Sequence, residues 1–279
     1  QAEDGIRDLV RSRGLGDVYK RQIYDIERDF SFPILSVIPP FEKEIKSNIN
    51  KTNKVKDRFI SMMDDKFRYK EALRTLETKL VNKIEDDPKK VMITSCEENA
   101  GKTSVAANLA ITIAQSGKKV LLIDCDIKNP KIADLFGLPK YSSGLIDFLT
   151  DKTDTPNIYK PIKLSDNTNL IMNIDIIPTG VFANVSGEIL ALEKMKELMS
   201  NLAYYDFVIL DTPPLTRVSD ALSLGRIVKD TLLVIRARQT EKESINWAIS
   251  ELKTSNVNFL GTVINDCEVN DSSLRYQYG

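Results

Sequence analysis

The sequence predicts a doubly wound α/β fold, a mostly parallel sheet with helices on both faces. From residue 90 onward, short runs rich in Val, Ile and Leu alternate with stretches of helical period. Near-continuous apolar strands separated by helices are what a parallel sheet covered on both faces requires. The first of these strands runs through a tight Gly-Lys-Thr turn into an Ala-rich helix, the entry of a phosphate-binding strand–loop–helix unit. The chain has 279 residues, 42% of them hydrophobic, enough to bury a large core.

Residues 1–22 (QAEDGIRDLVRSRGLGDVYKRQ) read as translated sequencing adaptor and are set apart from the fold. Residues 23–66 form an arm and linker. Within them FPILSVIPP, at 32–40, is a short apolar run closed by two prolines, a strand or extended arm; 41–66 is polar, rich in Lys and Asn. The main domain spans 67–266. Its first element is a helix over 67–84, with Phe67, Ala72, Leu73, Leu76, Leu80 and Ile84 on one side and Asp86-Asp87-Pro88 ending it. Strands are expected at 91–95, 119–124, 174–178, 207–211, 231–237 and 260–265, and helices at 103–115, 131–136, 186–202, 219–228 and 241–255. Trp247, on the last helix, is read as packing, and Cys125 as buried. Residues 267–279 are a polar tail holding Tyr276 and Tyr278.

Composition narrows the chemistry. There is no histidine, which removes Ser-His-Asp and Cys-His catalysis and His-ligated metals. Cys96, Cys125 and Cys267 form no metal-binding spacing and suit a reducing cytoplasm. With 39 basic against 40 acidic residues, the basic surplus of a nucleic-acid binder is missing. No apolar run approaches the roughly 18 residues of a membrane span.

The chemical signal lies in Cys96-Glu97-Glu98-Asn99-Ala100-Gly101-Lys102-Thr103. Backbone N–H groups from Glu98 to Ser104 and the following helix N-terminus are placed to cradle a polyphosphate. Lys102 reaches its terminal phosphates, and Thr103 offers a hydroxyl to Mg²⁺. Cys96 stands where such loops usually begin with glycine. Two further strand ends supply acid: Asp124 and Asp126, at i and i+2 and so expected on one side of an extended chain, and Asp211, before a Thr-Pro-Pro turn. Ligands of open α/β sheets bind at the carboxyl ends of strands, where all these residues fall. Together they indicate a Mg²⁺–nucleotide site of P-loop NTPase type.

SCEENAGKT, LLIDCDIKNP and FVILDTPP resemble the Walker A, A′ and B elements of bacterial tyrosine kinases of the capsular and exopolysaccharide synthesis systems, within the partitioning-type P-loop ATPases. KEALRTLETKL resembles the family's E-x-x-R-x-x-R helix, and FPILSVIPP its join to a transmembrane modulator. The resemblance implies an ATP- and Mg²⁺-dependent autokinase at the cytoplasmic face of the plasma membrane. It would regulate polysaccharide synthesis and export with a fused or separate transmembrane polysaccharide co-polymerase. It implies Lys102 on the β- and γ-phosphates, and Thr103, Asp124 and Asp211 on the metal. Either Asp124 or Asp126 is then the base, and Arg236 and Asn265 lie near the nucleotide base. Tyr276 and Tyr278 would be acceptors phosphorylated between subunits, with Glu71 and Arg74 serving ring assembly. Glu77 departs from the helix pattern by reversing a charge. A partitioning or division-site switch ATPase and a non-catalytic nucleotide-binding regulator of export are the alternatives.

Overall fold

The computed structural model describes residues 32–40, 59, 67–139, 142–161, 173–180, 189–190, 193–216 and 218–267. The expectations for residues 1–22, for most of the linker and for Tyr276 and Tyr278 lie outside them. In chain order the strands are β1 (Ile34–Val37), β2 (Lys89–Ser95), β3 (Val120–Asp124), β4 (Ile174–Ile177), β5 (Phe207–Asp211), β6 (Asp230–Arg236) and β7 (Asn258–Asn265). The helices are α1 (Phe67–Lys83), α2 (Lys102–Gln115), α3 (Ile132–Phe136), α4 (Leu145–Leu149), α5 (Glu193–Ser200), α6 (Val218–Val228) and α7 (Lys242–Thr254).

One sheet of seven strands results, in the order β1-β7-β6-β2-β5-β3-β4. Every pairing between these strands is parallel. Alternation along each strand divides the core between the two faces. Leu122 of β3 and Ile209 of β5 join Leu73, Leu76 and Leu80 of α1 and Leu109 and Ile113 of α2 on one side. Leu121, Ile123, Val208 and Leu210 point to the other, where Met195 and Leu198 of α5 and Leu224 of α6 cover them. Each such side chain, fully buried, contributes on the order of 1.5–3 kcal/mol.

The apolar run at 32–40 is an edge strand of this sheet: β1 pairs with β7, and the Ser36 hydroxyl donates to the Ala72 carbonyl of α1 at 2.7 Å. The helix expected over 186–202 is described as α5, preceded by a single 3₁₀ turn at Ile189–Leu190. Helix α4 was not expected from the sequence. Its five residues are too few to display a period, and it is started by Asp147, whose carboxylate accepts the Gly144 N–H at 2.8 Å. Trp247 is 37% exposed, so the packing expected of it is only partial.

The order of strands places the site. β2 lies between β5 and β6; the chain leaves β2 toward β3 on one side and later returns to β6 on the other. That reversal opens a crevice above the carboxyl end of β2. Among the described residues no helix is long and apolar enough to cross a membrane.

Candidate active site

Strand β2 ends at Ser95 and the loop begins at Cys96, whose side chain is buried among Leu215, Leu233 and Ile235. Burial, and then the Glu97 charge, lift its thiol to about 12; it is a packing group in the place of the usual glycine. Two residues of the loop take left-handed backbone, Asn99 at φ 61 and Gly101 at φ 92. Asn visits this region more readily than most residues. At Gly101 a side chain is excluded, because a Cβ there would meet the Asn265 amide nitrogen at 2.1 Å. α2 starts at the next residue, so Lys102 and Thr103 occupy its first turn, both buried. The first N–H groups of a helix have no partner within it, the arrangement that favours phosphate.

Three carboxylates close around Lys102, each in a different state. Asp124 and Asp211 are register partners on the neighbouring strands β3 and β5, and both are fully buried. Asp124 is held by three backbone donors, the N–H groups of Asp126 at 3.2 Å, Lys131 at 3.1 Å and Ile132 at 3.0 Å. Burial first, and the Asp211 charge second, push its pKa up in spite of those bonds. Asp126 accepts the Lys102 ammonium at 2.7 Å and the Asn129 N–H at 3.2 Å. Asp211 is the exception: both of its buried oxygens are without a hydrogen-bond partner. Its pKa is pushed up by burial, with the Lys102 charge opposing. The Thr103 hydroxyl lies near enough to favour the charged form, but no hydrogen bond of normal geometry closes between them. Burial alone lowers the Lys102 ammonium, yet Asp211 first and Asp126 next hold it above the ordinary lysine value.

The structure corrects the reason given for Asp124 and Asp126 meeting. β3 ends at Asp124, and the Asp126 N–H turns back onto the Asp124 carboxylate. A turn, not alternation along an extended strand, brings both carboxylates to the site. Cys125 between them is buried as expected.

Arg236 and Asn265 are register partners at the ends of β6 and β7, and their hydrogen bonds serve the loop itself. The Asn265 amide donates to the Ala100 carbonyl at 2.9 Å, and Arg236 Nη1 donates to the Asn99 carbonyl at 3.2 Å. Asp266 accepts from Arg236 Nε at 3.0 Å and Nη2 at 2.7 Å, fixing the guanidinium. Sequence reasoning missed Asp266; its position directly after the strand-end Asn265 was the available signal. It also missed Thr179, whose hydroxyl donates to the Asp124 carbonyl at 3.1 Å. Glu98 and Ser104 are exposed at the loop's rim.

On α1, Glu71 and Arg74 form an exposed pair at 3.0 Å. Glu77 is buried instead and accepts the Ser116 hydroxyl at 3.1 Å. Six residues turn a helix by about 240° beyond one full turn, so Glu77 faces α2 of its own chain and not the surface that carries Glu71. The reversed charge is thus an internal contact.

Chemically, the arrangement suits a cation held jointly with phosphate. The described residues contain no cluster of three or more metal-binding side chains arranged as a cage. The orphaned oxygens of Asp211 instead match Mg²⁺, which is usually bound by one or two carboxylates plus substrate phosphates.

The comparisons agree with this geometry. An AAA domain family model matches residues 89–265. The tyrosine-protein kinase YwqD of Bacillus subtilis (strain 168) is 34% identical over 232 residues, covering 82% of this chain and 94% of that protein. The tyrosine-protein kinase wzc of Salmonella typhi is 34% identical over 197 residues, 70% of this chain but 26% of that longer protein. The kinase domain of the Escherichia coli tyrosine kinase ETK superposes with a TM-score of 0.73 at 28% identity, covering 85% of this chain and 91% of that one. With its phosphate loop, its aspartates at and just beyond the strand ends and these relatives, the chain belongs to the bacterial tyrosine kinases of the P-loop class.

Proposed function

We propose that this chain binds ATP with Mg²⁺ at the phosphate loop and transfers the γ-phosphoryl group to tyrosine hydroxyls, among them Tyr276 and Tyr278 of a second copy of itself. The observation that carries the reading is Asp211, a fully buried carboxylate with neither oxygen satisfied, directly opposite Asp124 on the neighbouring strand and beside the phosphate-loop lysine. Leaving a carboxylate so placed costs stability, and a bound cation offsets that cost.

Thr103, Asp124 and Asp211 would hold Mg²⁺, which would supply charge neutralisation to the transferring phosphate. Lys102 moves its charge from Asp126 to the terminal phosphates. That releases an oxygen of Asp126, which takes the proton of the tyrosine hydroxyl as the Oη–phosphorus bond forms and the β–γ bridging bond breaks, leaving ADP. Asp124, fixed by its three N–H donors, keeps its orientation throughout. Arg236 and Asn265 hold the loop's carbonyls so that its N–H groups stay aimed at phosphate. The rate then comes from positioning and charge neutralisation, with no covalent intermediate.

As with the relatives whose names place them in capsule and exopolysaccharide systems, such as the putative tyrosine-protein kinase in the cps region of Klebsiella pneumoniae, the activity would serve polysaccharide synthesis and export. The partner is a transmembrane modulator, fused or separate, which brings the chain to the inner face of the membrane. A match to only 26% of wzc supports such an additional part.

The test is mass spectrometry of the protein made without residues 1–22, after incubation with Mg-ATP and the modulator's cytoplasmic segment, beside Lys102→Met. Phosphate on Tyr276 or Tyr278 in the unmutated protein alone is the expected result. ATP hydrolysis with unmodified tyrosines would replace the kinase with a switch ATPase, and nucleotide binding without either reaction would leave a regulator.

A further inference from the structure

At the opposite end of the sheet from the phosphate loop, the amino end of β2, the turn before β6, and α5 and α6 line an open cavity of about 500 Å³. Four cationic side chains line it, Lys90, Lys196, Arg226 and Lys229, against the single carboxylate of Asp86. Five residue steps along β2 lead from Lys90 to Ser95, about 17 Å of strand, so this cavity is separate from the active site.

Beyond the lining, Asp230 and Glu85 add negative charge: Asp230 feels both Asp86 and Glu85 and is answered in part by Lys229. Two helices end here, and each carboxyl terminus presents roughly half a negative charge. Lys90 answers one of them by donating to the Met199 carbonyl at 3.5 Å. Lys196 shares an exposed pair with Glu193 at 2.8 Å, a contact of the kind worth under about 1 kcal/mol. Arg226 makes no ion pair with a described residue. Lys229 follows α6 at φ 71, in the left-handed position that closes a helix, where its N–H bonds the Gly225 carbonyl at 2.7 Å. That position favours glycine, and a lysine there costs on the order of 1 kcal/mol. The chain accepts that cost and sets a fourth cation on the lining of the cavity. Ser223 adds a hydroxyl to the walls, while the Ser200 hydroxyl donates to the Lys196 carbonyl at 2.9 Å.

We propose that this cavity is a binding site for a multiply charged phosphate, of pyrophosphate-like charge, carried by a small molecule or a lipid headgroup. Inorganic pyrophosphate is the probe, titrated calorimetrically into protein whose phosphate loop is first saturated with Mg²⁺ and a non-hydrolysable ATP analogue. The analogue's own binding, measured first, reports on the active site separately. The expected result is one further pyrophosphate per chain, weakened at least tenfold in Lys229→Gly and in Arg226→Ala. Lys229→Gly is the discriminating variant, because glycine at φ 71 preserves or raises the melting temperature while removing the charge. Co-sedimentation with phosphatidylcholine vesicles, with and without phosphatidylglycerol, separates the sources. Retention on the anionic vesicles that is lost in Lys229→Gly identifies a headgroup, and binding in solution alone identifies a free phosphate. Absence of both, or binding that survives in both variants, overturns the proposal.

Discussion

Replacing Asp211 with asparagine should make the nucleotide-free protein more stable while abolishing its chemistry. The carboxylate is fully buried, and neither oxygen has a partner. Burial lifts its pKa from 3.8 to about 6, so the folded state disfavours the charged form. The direction follows from linkage: a carboxyl group whose pKa is higher folded than unfolded destabilises the protein above its folded pKa and is neutral in effect below its unfolded one. Roughly 1.4 kcal/mol per pH unit makes the penalty about 3 kcal/mol near pH 7.5. The substituted amide keeps the shape and can donate to the neighbouring Asp124, but it retains a buried polar group of its own, so about 2 kcal/mol should be recovered. In a chain of this size that is roughly 4–8 °C in melting temperature. Thermal unfolding in EDTA at pH 7.5 should show Asp211→Asn above the unmutated protein, with the gap closing toward pH 4. Adding Mg²⁺ and nucleotide should stabilise the unmutated protein and leave the variant unmoved. A variant less stable at pH 7.5, or a gap independent of pH, would refute the view of Asp211 as an unsatisfied carboxylate poised for a cation.

Other substitutions probe the rest of the frame. Gly101→Ala forces a Cβ to within 2.1 Å of the Asn265 amide at φ 92; it should cost about 2–3 kcal/mol and weaken nucleotide binding, and adding Asn265→Ala should restore part of the affinity in a double-mutant cycle by calorimetry. Asp126→Asn removes the carboxylate that holds Lys102, so ATP binding should be unchanged or tighter while tyrosine phosphorylation falls at least a hundredfold, a split that steady-state kinetics would read as kcat without KM. Glu77→Arg, which restores the charge expected at that position, places a cation in a buried site now closed by Ser116 and should lower urea stability by about 2–4 kcal/mol. Cys96, its thiol lifted to about 12, should react with a thiol reagent no faster than the chain unfolds.

Much of this was legible in the sequence because the signals were local. A strand, a Gly-Lys-Thr turn and an Ala-rich helix lie within residues 91–115, and each aspartate ends an apolar run, so short-range pattern alone located the carboxyl edge of the sheet. What was not legible depends on contacts between distant segments. That β1 would pair with β7 rather than leave as an arm is decided by more than two hundred intervening residues. Glu77 looked like a surface charge because its burial comes from α2, which the period of α1 cannot reveal. Asp124 and Asp126 were rightly grouped for the wrong reason, since alternation continues only while a strand does and this one stops at Asp124. Arg236 and Asn265 were found by resemblance, but their hydrogen bonds to the loop carbonyls needed the register of β6 against β7.

The site can be understood from which of its polar groups are satisfied. The loop is held from one side by Asn265 and by Arg236, itself clasped by Asp266, and from the other by the pairing of Lys102 with Asp126. Asp124 accepts three N–H groups that shape the turn after β3, and Oδ1, with one of them, keeps a lone pair for the cation. These contacts give the cavity its form before a ligand enters, and of them the Lys102–Asp126 pair is the one that must open for phosphate. Asp211 and the N–H groups of the first turn of α2 are left over, one set carrying negative charge and the other attracting it. A lone anion would suit the helix and repel the aspartate; a lone cation would do the reverse. Only a cation and a phosphate together answer both, and for that reason the unsatisfied groups suit a paired cation and phosphate, such as the proposed Mg²⁺–ATP, better than either component alone.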